Sequence, residues 1–384
     1  MKTMRVEVQP GLIRWACDRA SLSERDRMQR YSYIAAWEKG LARPTLKQLE
    51  KFARAVHVPV GFLFLSEPPM EIMPIPDFRT FPGVRVGRPS PDLLDTVYIC
   101  QQRQEWYQGY CRSTGEGTRS FVGSVKLTDG IEAVAADIRR RLSFDIEERS
   151  RMPTWTDALR RFIEQVDELG VLVMCSSIVQ NNAHRRLDPE EFRGFALADD
   201  TAPLIFINGA DSKSAQMFTL AHEVAHIWLG ESALSDAQAG WISSHRVEQW
   251  CNRFAAELLV PLALVRAEYR RNSMLREETD RLAGVFKVST LVILRRIHDS
   301  GGLTDARFQK AYEDEIDRLK AFPRGRGGNS YLNYATRVSK RFARALISNT
   351  LEGQTLHRDA LRMLGLSRME TFRELGRSLR LVVS

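Results

Sequence analysis

The chain has 384 residues, 43% hydrophobic and 27% charged, with a formal net charge of +8, a length beyond what one hydrophobic core ordinarily carries, so that two or three domains are expected. Its 5 Cys, at positions 17, 100, 111, 175 and 251, are odd in number and form no C-x-x-C, which argues against a disulfide framework or a Cys-type zinc site and fits a reducing cytosol. The N-terminus lacks a positive-then-apolar signal pattern and no apolar run approaches about 18 residues, so a cytoplasmic protein without membrane contact is expected.

Residues 1–68 alternate short apolar-periodic helices with turn signals. Thr45 and Gln48 form a capping-box pattern after the boundary at Pro44, and Leu46, Leu49, Phe52, Ala53 and Val56 recur at helical spacing. The segment Ile34-Ala35-Ala36-Trp37-Glu38-Lys39-Gly40, with Arg43-Pro44-Thr45-Leu46 and Leu49, resembles XRE-type helix-turn-helix domains. That resemblance implies an all-α DNA-binding domain, with Arg25, Arg27, Arg30 and Arg43 as nucleic-acid candidates. The chain departs from the pattern between Leu22-Ser23 and Ala35, where only about eleven residues intervene. A DNA reader and a helical packing module that lost its reader both remain open.

Residues 69–90 form a strap. Four prolines fall within nine residues, at 68, 69, 74 and 76, which rules out a helix interior or a central strand. A helix is then expected over 92–110, with amphipathic helices over 131–142 and 156–169 and an apolar strand over 169–175. Arg193–Ala198 and Ala202–Ile207, joined through Asp199-Asp200-Thr201, read as a β-hairpin. Pro203 suits an edge strand, where an extended substrate could add by main-chain hydrogen bonds; a purely structural hairpin explains the same residues.

The chemistry concentrates at His222-Glu223-Val224-Ala225-His226, an H-E-x-x-H in a helix-compatible run. Positions i and i+4 lie about 40° apart around a helix, so both imidazoles can reach one zinc ion while Glu223 takes a proton from water. An ordinary helix face with two histidines is the bland alternative. Phe218, Leu220, Ala221, Val224, Ala225 and Trp228 make the helix apolar on most sides, and burying unpaired polar groups there costs roughly 2–7 kcal/mol, which a metal resolves. No third histidine follows at the metzincin distance, so the third ligand must come from elsewhere, and a carboxylate would complete a His2Glu set.

The run Val247-Glu248-Gln249-Trp250-Cys251-Asn252-Arg253-Phe254-Ala255-Ala256-Glu257-Leu258-Leu259-Val260-Pro261 resembles the E-x-x-A-N-x-F-A-A-x-L-L-x-P signature of the ImmA/IrrE metallopeptidases. The resemblance implies that Glu248 is the third zinc ligand. Asn252, one turn on, shares its helix face and supports the site from behind the ligands. Cys251 stands where the family has Ala; it reads as a small buried packing residue in preference to a soft ligand. Glu257, nine residues beyond Glu248, is too far along the helix for both carboxylates to hold one ion. His245 is an oxyanion candidate by proximity, against the plainer reading of a solvated loop histidine.

Residues 301–384 read as a basic all-α domain. Between 321 and 384 there are 12 Lys and Arg against 4 Asp and Glu, a local excess that raises the chance of an anionic partner, nucleic acid or an acidic protein, beside the commoner account of a plain solvated face. After the Gly-rich stretch 324–329, helices are expected near 332–350 and 355–378. Within the second, Gly365 makes a turn before a Ser-capped helix, either a second helix-turn-helix or, preferably, a plain αα-hairpin.

The fold expected is therefore α+β: a zincin-like peptidase domain over 91–300 with a small mixed or antiparallel sheet, flanked by all-α domains. The resemblance implies a zinc-dependent, gluzincin-like endopeptidase whose substrate is a specific protein partner. A transcriptional repressor or a toxin–antitoxin component encoded nearby is implied, in stress or mobile-element regulation. DNA and a second copy of the chain are further expected partners. The alternative is a DNA-binding or antitoxin-like regulatory protein that uses the zinc fold as a scaffold.

Overall fold

The computed structural model describes residues 4–20, 22, 33–78, 89–235, 245–321 and 337–381. It divides into two units, Met1–Pro74 with Gly87–Asp95, and Ile75–Val86 with Thr96–Ser384.

In the first unit, α1 (Pro10–Arg19), α2 (Ile34–Glu38) and α3 (Leu46–Ala55) precede a 3-10 turn at Val60–Phe64. Thr45 caps α3 as its sequence predicts. Its hydroxyl accepts from the Gln48 amide while the Gln48 side chain accepts from the Thr45 amide, a reciprocal cap worth about 1 kcal/mol. The i, i+3, i+4 spacing of Leu49, Phe52 and Ala53 turns those side chains inward against Leu12, Ile13, Ala16, Ile34 and Trp37, and Trp37 meets Phe52 edge-on at 6.0 Å. Arg43 is exposed and pairs with exposed Glu7 at 3.4 Å. Arg25, Arg27 and Arg30, with the shortened stretch that carries them, lie outside the described residues.

The second unit is built on a four-stranded sheet in the order β1-β3-β2-β4, with β1 at Leu172–Ser176, β2 at Gly194–Leu197, β3 at Leu204–Asn208 and β4 at Ala233–Ser235. β1 runs parallel to β3; β2 is antiparallel to both β3 and β4. All but one residue of these strands is buried, so the segments are continuously apolar rather than alternating, as strands covered on both faces are. The predicted hairpin forms, but it does not supply an edge. β2 and β3 are the two inner strands, because the three-residue β4, too short to show a pattern in sequence, covers β2. Pro203 sits just before β3, and its carbonyl accepts from the Leu172 amide.

Helix α4 (Pro91–Thr114) sends Gln104 to the carbonyls of Leu197 and Ala202. α5 (Ile131–Leu142), α6 (Ile146–Arg151) and α7 (Trp155–Glu168) follow, then α8 (Lys213–Leu229), which packs on β2, β3 and α7, and α9 (Arg246–Leu259), which packs on α8 and α5. α10 (Leu262–Glu268), α11 (Leu275–Phe286), α12 (Thr290–Asp299) and α13 (Asp305–Ala321) extend this core.

The basic C-terminal segment contributes α14 (Lys340–Leu351), α15 (His357–Leu364) and α16 (Met369–Ser378). α14 starts at Lys340, where Ser339 caps it by accepting from the Phe342 amide, and residues 332–336 of the helix expected near 332–350 lie outside the described residues. Gly365 ends α15 at φ +70, as expected, but the residue before α16 is Arg368, with no side-chain cap, so Ser367 does not cap that helix. Among the described residues no helix is long and apolar enough to cross a membrane.

Candidate metal centre

Helix α8 starts where Ser212 accepts from the Ala215 amide and stops where Gly230 turns left-handed at φ 73, its amide reaching back to His226 and Ile227. Such a stop needs glycine twice over. A Cβ at Gly230 would sit 2.9 Å from the Cα of Gly123, whose own amide, like that of Val125, donates to the last carbonyls of α8. Every residue from Gln216 to Trp228 is buried, so the H-E-x-x-H is enclosed on all sides rather than displayed on a surface.

α9 brings Glu248 against this pair. His226 Nε2 lies 3.1 Å from His222 Nε2 and 3.1 Å from Glu248 Oε1, and Glu248 Oε2 lies 3.2 Å from His222 Nε2. A tetrahedral ion with bonds of about 2.0–2.1 Å requires donors about 3.3 Å apart; the two imidazole nitrogens meet that spacing, and each has one Glu248 oxygen at a similar distance, so the chemistry of the group suits zinc. His222 Nδ1 stands 3.0 Å from Asn252 Oδ1. An amide oxygen can only accept, which puts the proton on Nδ1 and leaves Nε2 with its lone pair toward the centre. His226 has no equivalent support among the described residues, where its buried Nδ1 meets no hydrogen-bond partner.

The charges follow from this packing. Burial pushes the Glu223 carboxyl up to about 8, with His222 pulling it down and Glu248 pushing it further up. Both its oxygens are buried, and the Ser235 hydroxyl also pulls the carboxyl down. For Glu248, burial opposes the charge, but His222 and His226 together hold it well below the usual carboxylate range. His222 is disfavoured by burial yet ends above its ordinary value through Glu248, whereas burial leaves His226 below it. The centre thus sets one carboxylate held low by two histidines beside a second that burial pushes up.

The other candidates separate clearly. Cys251 is fully buried, and a ligand atom of each of His222, His226 and Cys251 lies within 4.8 Å of the other two; this buried group is a possible metal site. Burial, then the carboxylates of Glu248 and Glu223, raise the Cys251 thiol well above its ordinary value. Glu257 is elsewhere. It pairs with buried Arg296 and accepts from the Leu262 amide, at the end of α9 where Arg139 donates to the Glu257 carbonyl and Arg149 to that of Leu259. Those guanidiniums satisfy the orphan carbonyls and oppose the negative end of the helix dipole. His245 is the N-cap of α9 and stacks on Phe78 with ring centroids 4.1 Å apart.

Three residues of the site escaped the sequence reading. Ser235, the last residue of β4, places Oγ 3.4 Å from His226 Nε2. Phe78, from the proline-rich strap, lies 6.5 Å from the His226 ring. Gly194 opens β2 beside the catalytic candidate: a Cβ there would meet Thr219 Cγ2 at 2.6 Å, the Phe206 carbonyl at 2.9 Å and Glu223 Oε1 at 3.1 Å. A glycine at the start of a strand signals such a close approach; the other two leave no local mark.

Residues 166–298 match the Peptidase M78 family model, described as an IrrE N-terminal-like domain, and residues 338–378 match the model of a domain of unknown function. Neither match reaches residues 1–165. No curated protein and no solved structure matches the chain. The chain thus carries an IrrE N-terminal-like domain, and that domain together with the buried histidine group points to a metallopeptidase.

Proposed function

We propose that the protein is a zinc-dependent endopeptidase, with His222, His226 and Glu248 as the zinc ligands and Glu223 as general base. The observation that carries this reading is the fully buried Glu223 in the same centre as His222, His226 and Glu248, whose imidazole nitrogens lie 3.1 Å from each other and 3.1–3.2 Å each from one of the two Glu248 oxygens. Zinc in such a set supplies a Lewis acid that acidifies water and polarises a carbonyl. Glu223 accepts the proton of the attacking water on a carboxylate oxygen and returns it to the leaving amine nitrogen, a role suited to a carboxyl poised near neutral pH. Glu248 stays ionised throughout, and Asn252 keeps His222 in the tautomer that points its lone pair inward.

The substrate we assign is one specific protein partner, a repressor or toxin–antitoxin component encoded nearby. What supports this is the resemblance to repressor-cleaving relatives and an active centre walled in by helices, which suits one docked partner better than arbitrary unfolded chains. The test is to mix the protein with casein and with the product of the adjacent gene. Discrete cleavage of the neighbour, lost in Glu223→Gln and after zinc chelation, is expected. Rapid many-site digestion of casein would refute the specific-partner reading, and full activity of Glu223→Gln would refute the mechanism.

A further inference from the structure

β4 is the outer strand of the sheet and leads directly to the metal centre through Ser235. An outer strand presents unpaired main-chain groups that recruit another extended segment. Here the chain covers that edge itself. The Leu234 amide donates to the Pro76 carbonyl at 2.9 Å and the Phe78 amide donates to the Leu234 carbonyl at 3.0 Å, with Asp77 opposite Leu234 in parallel pairing. Ile75 is buried. The Phe78 ring stacks on His245 at 4.1 Å and 23° and lies 6.5 Å from the His226 ring, so the segment packs beside the histidine pair.

The composition suits a resident that can be displaced. Prolines at 74 and 76 keep the segment extended and take away two amides on the side that faces β4, which leaves the Phe78 amide as its donor to Leu234. Main-chain hydrogen bonds to Leu234, the stack of Phe78 on His245 and the burial of Ile75 are among the contacts that hold it along this edge, each a modest net contribution. We propose that the outer edge of β4 is a peptide-binding site for an extended segment carrying an aromatic side chain, and that Ile75–Phe78 is its built-in occupant, which an incoming substrate segment must displace. His245 is then the platform for that aromatic side chain. The proposal rests on the peptidase reading only in naming the displacing peptide as substrate, and its test reads binding rather than cleavage.

The probe is a fluorescein-labelled peptide of residues 72–80, Ile-Met-Pro-Ile-Pro-Asp-Phe-Arg-Thr, added to the full chain carrying Glu223→Gln so that no probe is consumed. In that background Phe78→Pro removes both the amide donor and the ring, and Phe78→Ala removes the ring alone. Both variants are expected to bind the peptide about tenfold more tightly than the parent, since the resident no longer competes. Hydrogen exchange over 233–235 should quicken in both and slow again when peptide is added. A probe with alanine in place of its phenylalanine should bind weakly to all three proteins. Equal affinity in parent and variants, or exchange over 233–235 that neither substitution alters, would overturn the proposal. If Phe78→Pro fails to fold, Phe78→Ala carries the same comparison. These readouts record binding and exchange rather than turnover, so a chain that hydrolyses no peptide bond gives the same result.

Discussion

Asn252 Oδ1 accepts from His222 Nδ1 at 3.0 Å, across the contact between α8 and α9. The bond makes the orientation of one metal-binding imidazole depend on a residue four positions after Glu248 on the neighbouring helix. Asn252→Ala is expected to lower zinc affinity about 10- to 100-fold, the usual cost of losing such a support. Competition with a chromophoric chelator measures it. An unchanged affinity would leave the His222 tautomer without a structural cause.

Glu248 and Cys251 make opposite predictions. Glu248→Ala should abolish stoichiometric zinc by metal analysis, whereas Cys251→Ala should keep one zinc per chain, because burial and two neighbouring carboxylates oppose the thiolate that a metal would need. Zinc retained in the first variant and lost in the second would move the third ligand to Cys251.

Glu257 belongs to stability rather than to metal binding. Glu257→Ala takes from the buried Arg296 guanidinium the nearer of two carboxylates and leaves Asp299 at 3.3 Å, so the cost should fall below the roughly 3–5 kcal/mol of a buried pair broken outright. A lower midpoint in chemical denaturation with normal zinc content is expected. Reduced zinc affinity at unchanged stability would contradict the assignment of Glu257 to the far end of α9.

Gly194 reports on the space around the general base. Gly194→Ala forces a methyl against the Phe206 carbonyl and Glu223 Oε1; overpacking of this kind costs about 1–3 kcal/mol. The expected signature is a loss of turnover well beyond what the fraction unfolded explains, with zinc still bound. Full turnover in folded protein would show that Glu223 does not need that clearance.

The parts of this protein legible in its sequence are those set by spacing along one helix. His222, Glu223 and His226 share a face because of the helical repeat, and the Thr45 and Gln48 cap closes over three residues, so neither needs the rest of the chain to be understood. Glu248 was reached by resemblance alone, since nothing in helix periodicity says which carboxylate returns to a distant histidine pair; only the packing of α9 on α8 puts Glu248 at the centre and Glu257 beside Arg296. The tertiary structure likewise decided that β2 and β3 are inner strands, because β4 has three residues and no readable pattern of its own. Contacts such as Ser235 with His226, Gly194 with Glu223 and Phe78 with His245 join segments far apart in the chain. They arise from how buried surfaces fit together, and local propensity carries no record of that fit.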